Sequence, residues 1–293
     1  MAKDRFHPSS RGLSHHGMLP LFSHHPVVSE FHWDHSVWGS SWLFLIVSVL
    51  GYVISVQIVK MLLSFRRRPV PLGPIPALYN FGLLVASVVM FAGCLQSTMA
   101  EIAETRWLWQ RSKTPFEWII CFPMGTRPAG RVFFWSYIFY LSKFYEFTGT
   151  FILLFQKQNL SSGHVIRNAM VVIMCFLWLQ FAQSLQIFVL LSSTGLYITM
   201  YVYLSLCRMG YAPHFENALR YCQIAQYVSL LLASIVLIGL HYYKEGCSGM
   251  GAWLFGAFLD LSSLPFILVV NKQKKQRHVF NNTQKGSITS KTE

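Results

Sequence analysis

Residues Val132 to Phe155 read VFFWSYIFYLSKFYEFTGTFILLF, a run of 24 residues in which Lys143 and Glu146 are the only charged side chains. A bilayer core needs about 20 predominantly apolar residues in a helix, and this stretch has the length. Its two charges stand three residues apart, so on a helix they share one face. Charged groups at bilayer depth face a bundle interior or a water-filled cavity rather than lipid. If the stretch crosses a membrane, other spans must enclose its polar face, and the remainder of the chain decides whether they exist.

The chain of 293 residues is 53% hydrophobic and 16% aromatic but only 12% charged, whereas a soluble surface needs roughly a quarter charged residues. Apolar runs of spanning or near-spanning length recur at Trp42 to Leu63, Ala77 to Met99, Val132 to Phe155, Val165 to Phe181, Leu185 to Leu206, Gln223 to His241 and Ala252 to Val270. An all-α membrane protein of seven transmembrane helices is therefore expected, with a polar His-rich segment over 1–40, a membrane domain over 41–270 and a basic tail over 271–293. No cleavable signal peptide is seen, so the first span is expected to direct insertion. The 24 Lys and Arg outnumber the 11 Asp and Glu, but they are scattered between apolar runs. Nucleic acid is thus excluded as a partner, since reading phosphates takes a single solvated basic face.

Lys and Arg accumulate in cytoplasmic loops, which sorts the connections into two sets. Those following the odd-numbered spans hold twelve bases against two acids, and the other set holds eight against seven. The bias predicts a lumenal or external N-terminus and a cytosolic C-terminus. On that assignment the sequons at Asn159 and Asn281 are cytosolic and stay unglycosylated. The Arg66 to Pro76 connection, with three Arg and four Pro, is a stiff turn, and the basic tail lies where it meets anionic lipid or anchors the last span.

Seven of the eleven His precede residue 36, without the spacing of a zinc site, and read as a tail that tolerates His. The four that remain are too few for the several His boxes of the di-iron membrane desaturases, so no metal is expected. Cys121 and Cys247 both fall on the lumenal side, where oxidation is permitted; they either pair or stay as two free thiols. Cys94, Cys175, Cys207 and Cys222 lie in or beside spans and read as small apolar packers.

Polar residues recur inside other spans. Gln223 and Gln226 repeat the three-residue spacing in the sixth, and His164, Arg167 and Asn168 stand at the entrance of the fourth. Polar faces on three spans imply a lined cavity open to the cytosol; the plainer alternative is that each pair neutralises itself and helps helices pack.

This pattern resembles the ELO family of fatty-acid elongases in its plant form, whose motifs run K-x-x-E-x-x-D-T, H-x-x-H-H, N-x-x-x-H-x-x-M-Y-x-Y-Y and T-x-x-Q-x-x-Q. Lys143, Glu146 and Thr150 match the first, His164 opens the second, Met200, Tyr201 and Tyr203 match the third, and Gln223 and Gln226 match the fourth. The resemblance implies that spans two to seven surround an acyl-CoA cavity, that acyl-CoA and malonyl-CoA are substrates or ligands with no bound cofactor, and that the protein resides in the endoplasmic reticulum. It also implies elongase-complex partners, namely a ketoacyl-CoA reductase, a dehydratase and an enoyl-CoA reductase, and a homo- or hetero-oligomer.

The departures fall where the family keeps its chemistry. Gly149 replaces Asp, Arg167 and Asn168 replace the adjacent His pair, Ser193 replaces Asn, Tyr197 replaces His and Arg220 replaces Thr. Family members condense acyl-CoA with malonyl-CoA, releasing carbon dioxide, and pass the acyl chain through an imidazole at the position held here by Arg167. Such a step needs a neutral nucleophilic nitrogen, which an always-protonated guanidinium is not. Tyr197, with a reference pKa near 10, is a poor base, and only His164 is left to act. Arg167 either holds a CoA phosphate bidentately or reaches to the cytosolic interface from the span. The expectation is an elongase fold with weakened or lost condensing activity, or else a non-catalytic acyl-CoA-binding or regulatory partner of the complex. A seven-span receptor or transporter is disfavoured, because the third span lacks an acidic-Arg-aromatic triplet and the seventh lacks Asn-Pro-x-x-Tyr.

Overall fold

Apolar runs in a bilayer must satisfy every backbone N–H and C=O within the segment, which leaves the helix as the available spanning form for this chain. The computed structural model describes residues 25–66, 68–104, 114–158, 160–208, 216–243 and 246–262. Its helices are α1 (Pro26–Ser29), α2 (Trp42–Ser64), α3 (Ile75–Glu104), α4 (Pro115–Ile120), α5 (Arg131–Phe155), α6 (Ser162–Gln180), α7 (Gln186–Arg208), α8 (Glu216–Tyr243) and α9 (Met250–Ser262). No strand forms among the described residues; two isolated bridges join His32 to Ala129 and Pro123 to Cys247.

Six helices, α2, α3 and α5 to α8, are long and apolar enough to cross a membrane. The expected seventh span, Ala252 to Val270, begins as α9, whose described part is shorter than a span. Residues 263–270 and the basic tail over 271–293 lie outside the described residues, as do residues 1–24 and the sequon positions Asn159 and Asn281. Several helices outrun their apolar stretches: α3 continues past Met99 to Glu104, and α8 begins at Glu216 rather than Gln223. Hydropathy marks the part in lipid, whereas good helix formers such as Glu and Ala prolong the helix beyond it.

The outer faces of these helices are apolar. On α2, Leu43, Val47, Leu50 and Ile54 are exposed while Leu45, Tyr52 and Val56 are buried, and on α8 Leu231, Leu232 and Ile235 are exposed. Contiguous apolar surface of this extent is a liability in water and suits contact with acyl chains.

Helix α5 is the centre of the packing and contacts α2, α3, α6 and α7, while α3 runs against α7. Its approach to α3 depends on Gly93, where a Cβ would stand 2.0 Å from Trp135 Cζ2. The close fit lets the Trp135 indole N–H donate to Ser97 Oγ at 2.9 Å. Cys94 and Cys175 are buried, and Cys207 and Cys222 are exposed.

The end of the N-terminal segment, read as a polar tail that tolerates His, packs on α5 and α6 over its described residues. Phe31 stacks on Tyr137 with ring centroids 5.4 Å apart, the Trp33 indole donates to Gln180 Oε1, and the Tyr140 hydroxyl donates to the Gly39 carbonyl. His-rich composition concealed two large aromatic residues, Phe31 and Trp33, whose partial burial against the core outweighs the solvation of their polar neighbours.

One end of the bundle is stapled. Cys121 and Cys247 form a disulfide with Cα atoms 5.3 Å apart. Around it, Phe122 N–H donates to Ser184 Oγ at 3.0 Å, Ser248 N–H to the Phe122 carbonyl at 2.8 Å and Ser184 N–H to the Ser248 carbonyl at 3.0 Å. Three connecting segments thus satisfy one another's backbone groups across this end, as buried connections must.

Candidate functional site

A cavity of about 510 Å³ lies within the bundle, lined by α3 and α5 to α9 but not by α2. Its polar wall starts on α5. Lys143 is buried, with 2% side-chain exposure against 23% for Glu146, and its Nζ donates to Glu146 Oε1 at 2.5 Å. The same ammonium donates to Tyr197 Oη at 3.3 Å and lies 4.2 Å from the Phe139 ring centroid and 4.3 Å from that of Tyr197. A carboxylate, a phenolic oxygen and two ring faces replace the water it gave up, since a buried charge persists only when paired. The two readings of the pair therefore hold together: Lys143 and Glu146 neutralise each other and both line the cavity.

One turn further along α5, Thr150 joins three elements. Its Oγ1 lies 2.9 Å from Tyr52 Oη on α2 and accepts from Asn168 Nδ2 on α6 at 3.2 Å. Asn168 Nδ2 also lies 3.3 Å from His164 Nε2. An amide nitrogen carries two N–H donors, and here one points at Thr150 and the other at His164. With Nε2 accepting, the neutral ring carries its proton on Nδ1.

The remaining lining comes from the other helices. Arg167, Tyr227 and Asp260 line the cavity from α6, α8 and α9. Gln226 Nε2 donates to Ser193 Oγ at 3.1 Å; Gln223, Met200 and Tyr201 line the same space. Tyr203, matched to a family motif, is not among the lining residues. Among the described residues no cluster of three or more His, Cys, Asp and Glu is placed to hold a metal ion.

Some lining residues were not singled out from sequence. Tyr79 on α3 donates through its hydroxyl to the Glu146 carbonyl, and a Cβ on Gly149 would stand 2.5 Å from that hydroxyl oxygen. The loss of the motif's Asp at Gly149 is thus matched by a ring occupying its place. Trp178, Gln183 and Asp260 also line the cavity. Asp260 carried a signal, being an acid within an apolar run, whereas a Trp in a span and a Gln in a turn are commonplace.

The sequence profile of the GNS1/SUR4 (ELO) family matches residues 37–270. Fatty acid elongase 3-like of Arabidopsis thaliana is 39% identical over 247 residues, 82% of this chain and 86% of that protein. Fatty acid elongase A of Dictyostelium discoideum is 27% identical over 256 residues, 84% of this chain and 88% of the relative. The same organism's fatty acid elongase sre1 is 23% identical over 71% of this chain and 75% of its own length. With a matching profile over most of its length and a relative 39% identical over 82% of it, the chain belongs to the GNS1/SUR4 (ELO) family, a family of multi-span membrane proteins that serves fatty acid elongation.

Proposed function

We propose that this protein acts in very-long-chain fatty acid elongation, holding an acyl-CoA in the cavity, with condensing activity far below that of family members having a complete His box. The observation that carries the reading is the engagement by Asn168 of His164, the one histidine on the cavity wall among the described residues. The family reaction joins acyl-CoA and malonyl-CoA to give 3-oxoacyl-CoA, carbon dioxide and free CoA. Acyl transfer to an imidazole uses a ring nitrogen lone pair, and the Nε2 lone pair of His164 already accepts the Asn168 amide. Arg167 offers no lone pair, and the Tyr197 oxygen accepts from the Lys143 ammonium. What the site retains is binding: Arg167, exposed at the cavity wall, suits a CoA phosphate.

In this reading the protein resides in the endoplasmic reticulum membrane with a lumenal N-terminus and a cytosolic C-terminus, the cavity opens to the cytosol, and a ketoacyl-CoA reductase, a dehydratase and an enoyl-CoA reductase are its working neighbours. The test is labelled malonyl-CoA incorporation by microsomes holding this protein as their sole elongase, offered acyl-CoAs of several lengths. Extension is expected at least about 100-fold below that of an active family member, the usual consequence of losing a nucleophile or base. Arg167→His, Asn168→His, Ser193→Asn and Tyr197→His together are expected to raise it. Extension by the wild-type chain at the rate of an active elongase, abolished by His164→Ala, would overturn the proposal.

A further inference from the structure

At the stapled end of the cavity two buried polar groups lack partners. Trp178 is 1% exposed and Gln183 2%, both line the cavity, and among the described residues neither Trp178 Nε1 nor Gln183 Oε1 has a hydrogen-bond partner. The two residues are tied to each other, since Gln183 N–H donates to the Trp178 carbonyl at 3.1 Å. The turn that carries Gln183 adopts uncommon backbone to do so: Ala182 has φ 42° and Leu185 φ 73°. Both are buried, and left-handed conformations at non-glycine residues persist only where surrounding contacts impose them. An unpaired indole N–H and an unpaired amide oxygen buried at this closed, stapled end of the cavity are costly unless a ligand or water meets them.

The position of this pair along the cavity bears on what meets it. Along α6, Trp178 stands fourteen residues beyond His164, about 21 Å of helix axis at 1.5 Å per residue. Arg167 and His164 are therefore at one end and the Trp178 and Gln183 pair at the other, with the Lys143 ammonium between them on the opposite side of the Phe139 ring that stacks on Trp178. An acyl chain whose thioester lies beside His164 and Arg167 reaches the pair with its terminal carbons. A methyl terminus leaves both groups unpaired. A carboxylate accepts from the indole but has no hydrogen for the amide oxygen. A hydroxyl donates and accepts, and so serves either group in either orientation of the Gln183 amide.

We propose that the closed end is a polar subsite for the terminal hydroxyl of an ω-hydroxylated acyl chain, so that the cavity prefers ω-hydroxyacyl-CoA over the unsubstituted acyl-CoA of equal carbon number. The proposal rests on the reading that the cavity holds acyl-CoA. Binding of the two ligand series to the full chain in lipid nanodiscs, by calorimetry across a range of chain lengths, tests both. One satisfied buried hydrogen bond is worth about tenfold in affinity. The ω-hydroxy ligand is expected to bind about tenfold tighter at the lengths that reach the closed end and equally at shorter ones. Trp178→Phe, which keeps the ring against Phe139, and Gln183→Met are each expected to shrink the ratio. Equal affinity of the two series at every length in the wild-type chain overturns the subsite and assigns the two groups to water. Failure of both series to bind overturns the acyl-CoA reading, and the subsite with it.

Discussion

Lys143 sets the terms of the site because it is an almost fully enclosed ammonium whose charge is met by Glu146 Oε1, Tyr197 Oη and two aromatic faces. Breaking a buried ion pair by removing one partner costs about 3–5 kcal/mol, since it strands the other charge. The two members are unequal: Glu146 is partly exposed, and Lys143 is almost fully buried. Glu146→Leu is therefore expected to lower stability by about 3 kcal/mol or more, and Lys143→Met by less, because the abandoned carboxylate is partly solvated. The double variant should cost clearly less than the sum of the two, as contacting residues couple. Thermal unfolding of the three variants in one detergent checks the order; additive losses would mean that the pair is not the unit that matters.

At the scale of elements, α3 meets α5 near Tyr79 and Glu146 and again where Gly93 admits the Trp135 ring and Ser97 accepts its N–H. Gly93→Ala drives a methyl into that ring, and overpacking a core of this density costs about 1–3 kcal/mol. Trp135→Phe in the same background is expected to recover part of the loss by withdrawing the benzo ring, although it strands Ser97 Oγ. Unfolding temperatures of the single and double variants decide; no rescue would place the strain elsewhere. The spans themselves were legible because lipid demands long apolar helices, and Lys143, Glu146, Asn168 and Gln226 were legible because polar groups in such runs are expensive and must face something. Tyr79, Trp178 and Gln183 were not, because tyrosine and tryptophan are ordinary in membrane helices and glutamine is ordinary in turns. Their place on the wall depends on how α3 and the 181–185 turn meet α5 and α9, which no periodicity records. The packing of Phe31 and Trp33 was hidden for a related reason, a histidine-rich context that resembles a solvated tail.

For the whole molecule, the loops carry the orientation. Twelve bases against two acids on one side and eight against seven on the other give excesses of ten and one, and such asymmetry in loops is what positions a multi-span chain. The Cys121–Cys247 disulfide closes the end opposite His164 and Arg167, and disulfides form and persist in oxidising compartments. Loop charge and thiol chemistry thus separately support the proposed orientation, with the stapled end in the lumen and the Arg167 end in the cytosol. In sealed microsomes a C-terminal epitope tag is expected to be removed by added protease, and an N-terminal tag only after detergent opens the vesicles. Asn159 and Asn281 should show no mobility shift on glycosidase treatment, since they follow odd-numbered spans. A glycan on either asparagine, or protection of the C-terminal tag, would invert the chain; the stapled end would then face a reducing compartment, and its crosslink would be absent on a non-reducing gel.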